Sequence, residues 1–161
     1  MHEEIQHDEG TAEICPRAKE WAKNAFSGDI TYLLNEAASS ARSTVMAALA
    51  PIGITPRQMS IMRLLSIQAP IRQHELGSLL SIDRTSMVAA IDGLEGMGYV
   101  VREADPNDRR AHAIQLTEAG VTIDAAARVA VDSAAQSMLE HLTVDERETL
   151  LSILGKLTSR S

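Results

Sequence analysis

The apolar residues of this 161-residue chain change their spacing once, and that change restricts the fold more than any other feature. Over residues 30–94 they recur every three or four positions, which is typical of amphipathic helices. Two later segments, 99–103 and 111–116, alternate like strands, with the polar residues 104–110 between them as a turn. The helical spacing then returns. The pattern therefore predicts several helices, one β-hairpin, and further helices.

Capping residues mark where the individual helices begin. Five of the predicted starts have an Asp or Thr whose side-chain oxygen can accept from the first free N–H groups of a helix, and all of the starts precede a segment with helical periodicity. Two of them are threonines followed by Gln or Glu three residues later, which is the spacing of a capping box. The predicted starts are Pro16, Asp29, Thr55 with Gln58, residue 72, Asp83, Thr117, and Thr143 with Glu146.

The order of these elements, three short helices and then a hairpin, is that of a winged helix-turn-helix. Long helices with apolar faces flank this module, which is too small to cover them, so a second copy of the chain is the simplest partner. We expect a mainly α fold with a small β-hairpin wing, assembled as a homodimer. The predicted regions are an acidic tail with an extra N-terminal helix (1–28), a first dimerisation helix (29–54), the winged module (55–118) and C-terminal dimerisation helices (119–161).

Composition excludes several classes of protein. The single cysteine, Cys15, rules out an internal disulfide scaffold. The longest purely apolar run, 45–50, is far shorter than the roughly 20 residues that cross a membrane. The acidic N-terminus does not resemble a secretory signal. We therefore expect a cytoplasmic protein without membrane contact.

Enzymatic motifs are also missing from the sequence. It contains no Gly-x-Ser-x-Gly elbow, no phosphate-binding Gly-x-x-x-x-Gly-Lys loop and no His-Glu-x-x-His. The five histidines are scattered, with no pair at the four-residue spacing of a helical metal site. We expect no catalytic residues, no cofactor and no metal, although ligands from distant segments could still assemble a metal site.

Residues 72–120 resemble the MarR (multiple-antibiotic-resistance regulator) family of bacterial transcription factors. The helix-turn-helix alone is a weak signal, but its combination with the wing and the following Leu-Thr-x-x-Gly is specific. The layout extends over 29–158. The matching residues are Gln73-x-Glu75-Leu76-Gly77-x-x-Leu80, Ile82-Asp83-Arg84-Thr85-Ser86-x-Val88, Leu94-Glu95-x-x-Gly98-Tyr99-Val100-x-Arg102, Asp108-Arg109-Arg110 and Leu116-Thr117-x-x-Gly120.

The start of the helix after Asp83 is the predicted reading end. A recognition helix needs small or polar residues there, because its backbone must approach base edges and phosphates. Thr85 and Ser86 can donate hydroxyls to phosphate, Arg84 can contact guanine or phosphate, and Ala89 follows one turn later. The alternative is that Thr85 and Ser86 only cap the helix beside Asp83.

The wing supplies the second predicted contact with double-stranded DNA. An arginine inserted into a narrow minor groove senses its negative potential. Asp108 can pair with either Arg109 or Arg110 while the other reaches DNA, an arrangement that the family resemblance also implies. A solvated turn is the alternative. Arg102, at the base of the wing, is expected to contact a phosphate or Glu95.

The family resemblance also implies a small-molecule effector, lipophilic or aromatic, in a crevice between the dimerisation helices and the winged module. Its binding would release a repressor from a palindromic operator. A ligand-independent regulator and a thiol- or metal-responsive regulator remain alternatives. Cys15 precedes the family core, and Trp21 is interpreted as a packing anchor of the extra helix. The candidate pocket residues are Met46, Met59, Met62 and Arg63.

The net charge of −7 is distributed unevenly. Residues 1–55 have four basic and eight acidic residues, residues 119–161 have four and six, and residues 56–118 have seven and eight. All seven basic residues of the winged module are arginines, whose planar guanidinium suits bases and phosphates. A nearly neutral module predicts weak non-specific binding and dependence on individually placed arginines.

Overall fold

The computed structural model describes residues 25–105 and 108–159, and the side chains of 104–112 lie outside this description. A short 3-10 helix, Ala50–Ile52, follows the first helix. The other elements are α1 (Ile30–Leu49), α2 (Pro56–Ile67), β1 (Ile71–Arg72), α3 (Gln73–Leu80), α4 (Arg84–Gly96), β2 (Val100–Asp105), β3 (Asp108–Leu116), α5 (Glu118–Met138) and α6 (Val144–Thr158). The expected fold class, mainly helical with a small antiparallel sheet, is confirmed.

The chain divides into two compact units, residues 1–39 and residues 40–161. In the first unit, the predicted helix over 16–26 lies outside the described residues except at its end, as do Cys15 and Trp21. These three predictions therefore stay predictions.

The described part of the first unit is the start of α1. Asp29 accepts backbone N–H groups from Thr31 at 2.9 Å and Tyr32 at 3.0 Å, which is the predicted cap. The ring of Phe26 stacks on Tyr32 with centroids 4.7 Å apart. This contact ties the residues before the helix to its first turn.

Both predicted capping boxes are present in the second unit. The Thr55 hydroxyl accepts from the Gln58 N–H at 3.2 Å, and the Gln58 side chain accepts from the Thr55 N–H at 2.9 Å. Thr143 and Glu146 form the same pair of hydrogen bonds at 3.3 and 2.8 Å. Each box satisfies two backbone donors that a helix start leaves free. The starts of α2 and α6 are therefore set by local sequence.

The sheet has three strands, not the two of the predicted hairpin. Its order is β1-β3-β2, all antiparallel, with Ile71 opposite Ile114 and Val100 opposite Leu116. The prediction missed β1 because two residues are too few to show an alternating pattern. This short strand connects α2 to α3 and packs the hairpin base against the helices.

The predicted seven-residue turn over 104–110 is wrong at both ends. β2 continues to Asp105 and β3 begins at Asp108, which lies opposite Asp105 beyond a register shift. Backbone hydrogen bonds hold an antiparallel pair whatever its side chains, so charged residues continue a strand without any apolar alternation. Arg109 and Arg110 therefore lie in β3 rather than in a turn.

The core of the second unit joins α2, α3, α4 and the sheet. Aliphatic side chains and methionines build it, as the shortage of aromatic residues requires. The buried residues are Leu49, Ile54, Ile61, Met62, Leu65, Ile71, Leu76, Met87, Ala90, Ile91, Leu94, Val100, Ile114 and Ala127.

A close backbone contact joins the start of α5 to the base of the hairpin. The Thr117 N–H donates to the Tyr99 carbonyl at 3.1 Å, and its hydroxyl donates to the Gly98 carbonyl at 2.7 Å. A Cβ atom on Gly120 would lie only 2.0 Å from the Tyr99 oxygen. The Leu-Thr-x-x-Gly motif is therefore explained by one hydrogen-bonded cap and one position with no room for a side chain.

The last two helices leave apolar residues uncovered. α5 ends at Met138. Three leucines of α6, Leu151, Leu154 and Leu157, are exposed, and Leu151 is 71% exposed. Within the described residues, no helix combines the length and apolar character needed to span a membrane.

Candidate nucleic-acid interface

A tight turn sets α3 and α4 into the helix-turn-helix arrangement. The Ile82 N–H donates to the Gly77 carbonyl at 2.9 Å, and a Cβ on Gly77 would lie 3.2 Å from the Ile82 carbonyl oxygen. Ser81 adopts a left-handed backbone with φ of 52°. The absence of a side chain at Gly77 is what lets the turn approach α3 closely.

Asp83 caps the N-terminus of α4 as predicted. Its carboxylate accepts the Ser86 N–H at 2.9 Å. The pKa of Asp83 is lowered below its ordinary value, first because the Ser86 N–H and then its hydroxyl donate to it, and further because of the positive charge of Arg57. Ser86 therefore serves the cap as well as being a candidate DNA contact.

The outward side of α4 carries the predicted reading residues. Arg84, Thr85 and Ala89 are exposed, and Ser86 is half-buried. The opposite side of the helix lies in the core through Met87, Ala90, Ile91 and Leu94. The fold thus anchors α4 by one face and leaves small and polar side chains at its N-terminal end on the surface, as a reading helix requires.

The wing residues are only partly described. Asp108, Arg109 and Arg110 lie in β3, but their side chains are outside the description, so their predicted contacts stay predictions. Arg102 in β2 is fully placed. Its guanidinium pairs with Asp92 and with Glu95, both on α4. The expected contact with Glu95 is therefore present, and Asp92 is an additional partner that the sequence reading missed.

One further charged residue, near the reading end, was also missed. Arg57, in the first turn of α2, is exposed, and its charge acts on Asp83. Sequence order conceals this proximity, because 26 positions separate the two residues. Asp92 could have been found, since it lies three residues before Glu95 on the same helix and Arg102 follows on the next strand.

The four candidate pocket residues have different environments. Met62 is fully buried in the core, and Met59 is half-buried against it. Met46 is 56% exposed and Arg63 is exposed. Core packing accounts for Met62 and Met59 without any ligand. The pocket assignment stays a prediction.

A buried carboxylate on α5 has a half-exposed arginine as its partner. The Asp124 side chain is 1% exposed, and its Oδ2 lies 2.8 Å from the Nη2 of Arg128, one helical turn later. No group of three His, Cys, Asp or Glu residues that could hold a metal ion occurs in the described part of the chain. The Asp124 pair is therefore interpreted as structural, because a buried carboxylate requires a partner charge.

Known proteins match this chain in sequence. The sequence model of the MarR family matches residues 54–112. The multiple antibiotic resistance protein MarR of Escherichia coli is 31% identical over 110 residues, which are 68% of this chain and 76% of that protein. A Thauera aromatica protein named for the hcr operon is 30% identical over 105 residues, 65% of this chain, and the match spans 63% of that protein.

Solved structures match the fold. The transcriptional repressor CouR bound to a 23-mer DNA duplex is 33% identical with a TM-score of 0.78, covering 84% of this chain and 96% of that one. CouR from Rhodococcus jostii RHA1 bound to p-coumaroyl-CoA is 30% identical with a TM-score of 0.71, covering 82% and 93%.

These matches confirm the fold class and the family resemblance seen over residues 72–120. They also agree with the geometry, in which a core-anchored helix exposes its N-terminal end and a β-hairpin follows it in the chain. The chain therefore belongs to the MarR family of winged-helix, DNA-binding transcriptional regulators, and it is a regulator rather than an enzyme.

Proposed function

We propose that this protein is a cytoplasmic, homodimeric repressor that binds a palindromic operator in double-stranded DNA. The observation that carries the proposal is the exposed N-terminal end of α4, where Arg84, Thr85 and Ala89 face outward while the opposite side of the helix is fixed in the core. A rigidly held helix can enter a major groove in one orientation, which sequence-specific reading requires. The DNA duplex bound by the related repressor CouR supports this assignment.

Each α4 residue has a proposed role at the DNA. Arg84 donates to guanine or to a phosphate, because its guanidinium offers paired donors. Thr85 donates its hydroxyl to a phosphate, and Ser86 does the same by turning its hydroxyl away from Asp83 while its N–H keeps the cap. The methyl of Ala89 allows close approach of the helix to the base edges. Together these contacts orient α4 and supply part of the base reading.

The wing has a separate proposed role. One of Arg109 and Arg110 enters the minor groove, and Asp108 pairs with the other to order the hairpin. Because the winged module is nearly neutral, its non-specific attraction to DNA is weak. A few contacts therefore supply most of the binding, and the loss of each lowers operator affinity.

The regions outside the winged module are assigned to dimerisation. Residues 29–54 and 119–161 form the interface, residues 55–118 bind DNA, and residues 1–28 are an extension. The support is the uncovered apolar surface of α6, including Leu151, Leu154 and Leu157. Apolar surface of this extent on a soluble chain marks an interaction site. The two winged modules of one dimer match two half-sites about one helical turn, roughly 10 base pairs, apart.

A small lipophilic or aromatic effector is proposed to release the operator. The related CouR binds p-coumaroyl-CoA, whose acyl group is aromatic. The proposed pocket residues are Met46, Met59, Met62 and Arg63. A ligand bound between the dimerisation helices and the winged module favours a dimer in which the spacing of the two α4 helices does not fit DNA. Operator affinity then falls by a factor set by how much more tightly the ligand binds that state than the DNA-binding state.

The test of DNA binding starts from an operator that the wild-type protein selects from random duplexes. The variant Arg109→Ala/Arg110→Ala is expected to bind this operator at least tenfold more weakly, because minor-groove and phosphate contacts are lost. The control Arg17→Ala/Lys19→Ala removes the same two charges from the extension 1–28, outside both the winged module and the proposed interface. Equal binding by both variants would overturn the wing assignment.

The dimer and the effector have their own tests. Sedimentation is expected to give twice the chain mass for the wild type and the single mass for Leu151→Glu/Leu154→Glu. Thermal shifts with aromatic acids and their CoA thioesters report binding. A compound that raises the melting temperature without weakening operator binding would contradict the release mechanism and favour a ligand-independent regulator.

A further inference from the structure

A charged clamp joins the recognition helix to the wing. Arg102 in β2 places one terminal nitrogen on Glu95 and the other on Asp92, both in α4. Its side chain is 23% exposed, against 56% for Asp92 and 39% for Glu95. A guanidinium that donates from both terminal nitrogens to two fixed acceptors holds a defined orientation, which a single-point ammonium contact does not. The clamp is therefore a geometric constraint between two elements.

The clamp lies at the base of the hairpin, where Ile114, the partner of Arg102 in β3, is buried. Alternation along β2 puts Arg102 on the same face as Val100, which is buried in the core. Val100 is the β2 residue of the core cluster, and Arg102 is the next residue on that face toward the hairpin tip. Below it, backbone hydrogen bonds such as the Tyr99 N–H to the Leu94 carbonyl, 2.9 Å, already fix the strand. At the level of Arg102, β1 also holds the hairpin, because Ile114 lies opposite both Arg102 and Ile71, and the clamp adds a side-chain link from this level to α4.

Asp92 also lies on the reading side of α4. It follows Thr85 by seven residues, which is two helical turns, so the two share a face with the exposed Ala89. An isolated carboxylate there would repel the phosphates of bound DNA. With two carboxylates against one guanidinium, the cluster as a whole is still negative, which makes Arg102 a poor anchor for a phosphate.

We propose that Arg102 is a positioning residue that fixes the angle between the wing and the recognition helix through Asp92 and Glu95, rather than a direct contact to phosphate. The proposal rests on the DNA-binding function proposed above. The wing and α4 must contact the same operator. Without the clamp, the hairpin has to be ordered when DNA binds, and this entropic cost lowers operator affinity.

The direction in which operator affinity changes when both carboxylates are removed distinguishes positioning from a phosphate contact. The variant Asp92→Ala/Glu95→Ala breaks the clamp but also removes two negative charges near DNA. If Arg102 positions the wing, this variant binds the selected operator about tenfold more weakly. If Arg102 contacts phosphate, the same variant binds more tightly, because the arginine is freed and repulsion is removed. Tighter or unchanged binding overturns the proposal.

Substitutions of Arg102 itself give an independent readout. Arg102→Ala is expected to weaken binding about tenfold while leaving the slope of log affinity against log salt unchanged, whereas loss of a phosphate contact lowers that slope by about one. Arg102→Lys keeps the charge but can hold one carboxylate at a time, so it recovers only part of the loss. A wild-type affinity for Arg102→Lys contradicts positioning and supports a simple charge contact.

A thermodynamic cycle separates positioning from general destabilisation. In the wild-type background, Arg109→Ala/Arg110→Ala removes the wing contacts and lowers operator affinity by the full factor that these contacts contribute. In the Arg102→Ala background the same two substitutions are expected to lower operator affinity by a several-fold smaller factor, because the wing is already mispositioned. Equal costs in both backgrounds, with both proteins folded by circular dichroism, overturn the proposal.

Glu103→Ala calibrates the effect of charge alone, since it removes one carboxylate from the same strand without touching the clamp. It is expected to bind the operator at least as tightly as the wild type, and weaker binding overturns the electrostatic reasoning behind the sign test. The two proposals fail differently. A wild-type protein that selects no DNA refutes the DNA-binding function together with this inference. Operator binding with clamp variants that bind normally refutes the inference alone.

Discussion

Gly120→Ala is expected to destabilise the protein even though alanine is the better helix former. The new Cβ would lie 2.0 Å from the Tyr99 carbonyl oxygen and 2.9 Å from its carbon. Both partners are backbone, so the start of α5 and the hairpin base must separate by about 1.4 Å to bring the 2.0 Å distance to ordinary contact at 3.4 Å. The same oxygen accepts the Thr117 N–H at 3.1 Å, and Thr117 also bonds Gly98 at 2.7 Å.

The magnitude follows from these losses. Overpacking costs about 1–3 kcal/mol, and two weakened hydrogen bonds cost about 1 kcal/mol each. Helix propensity returns about 1 kcal/mol. We therefore expect a net loss of about 2–4 kcal/mol in the free energy of unfolding.

Urea unfolding followed by circular dichroism measures this loss at one fixed chain concentration, because dimerisation would couple to unfolding. Gly96→Ala is the matched control, since a Cβ there meets nothing within 4 Å and the backbone has no positive φ. It is expected to lie within about 0.5–1 kcal/mol of the wild type. Equal stability of the two variants would refute the explanation of the Leu-Thr-x-x-Gly motif.

Two further predictions concern charged side chains. Arg128→Ala leaves the Asp124 carboxylate buried without its partner and is expected to lower the free energy of unfolding by about 1–3 kcal/mol. Adding Asp124→Asn is expected to restore most of this loss; urea unfolding measures both variants, and no recovery in the double variant contradicts the reasoning. Because the pKa of Asp83 is lowered in the folded state, its stabilising contribution is complete above its ordinary value of 3.8 and is lost as the pH falls through the folded value. Asp83→Asn keeps a capping oxygen without this titration, so the stability gap between wild type and variant should shrink from pH 6 to pH 3, and a constant gap would refute it.

Local chemistry made the helix starts predictable. Each cap needs only residues within three positions of one another, and Asp29, Thr55, Asp83, Thr117 and Thr143 all form the expected hydrogen bonds. The reading side of α4 was equally predictable, because helical periodicity alone decides which residues face the core. Sequence spacing suffices wherever the interaction is local.

Non-local contacts limited the prediction elsewhere. β1 exists because two residues pair with Ile114 and Ala113, more than forty positions away. The outer part of the hairpin continues through charged residues, where apolar alternation gives no guidance. The second partner of Arg102 depends on how β2 crosses α4. The buried state of Asp124 was likewise hidden, since an acidic residue four positions before an arginine usually marks a solvated helix face.

The most direct test of the central claim compares two duplexes of equal length and composition. One is the operator selected by the wild-type protein, and the other has its half-sites scrambled. A selective reader with a nearly neutral module should bind the operator about a thousandfold or more tightly than the scrambled duplex at physiological salt. Equal affinity for both duplexes would contradict the claim that α4 and the wing read sequence.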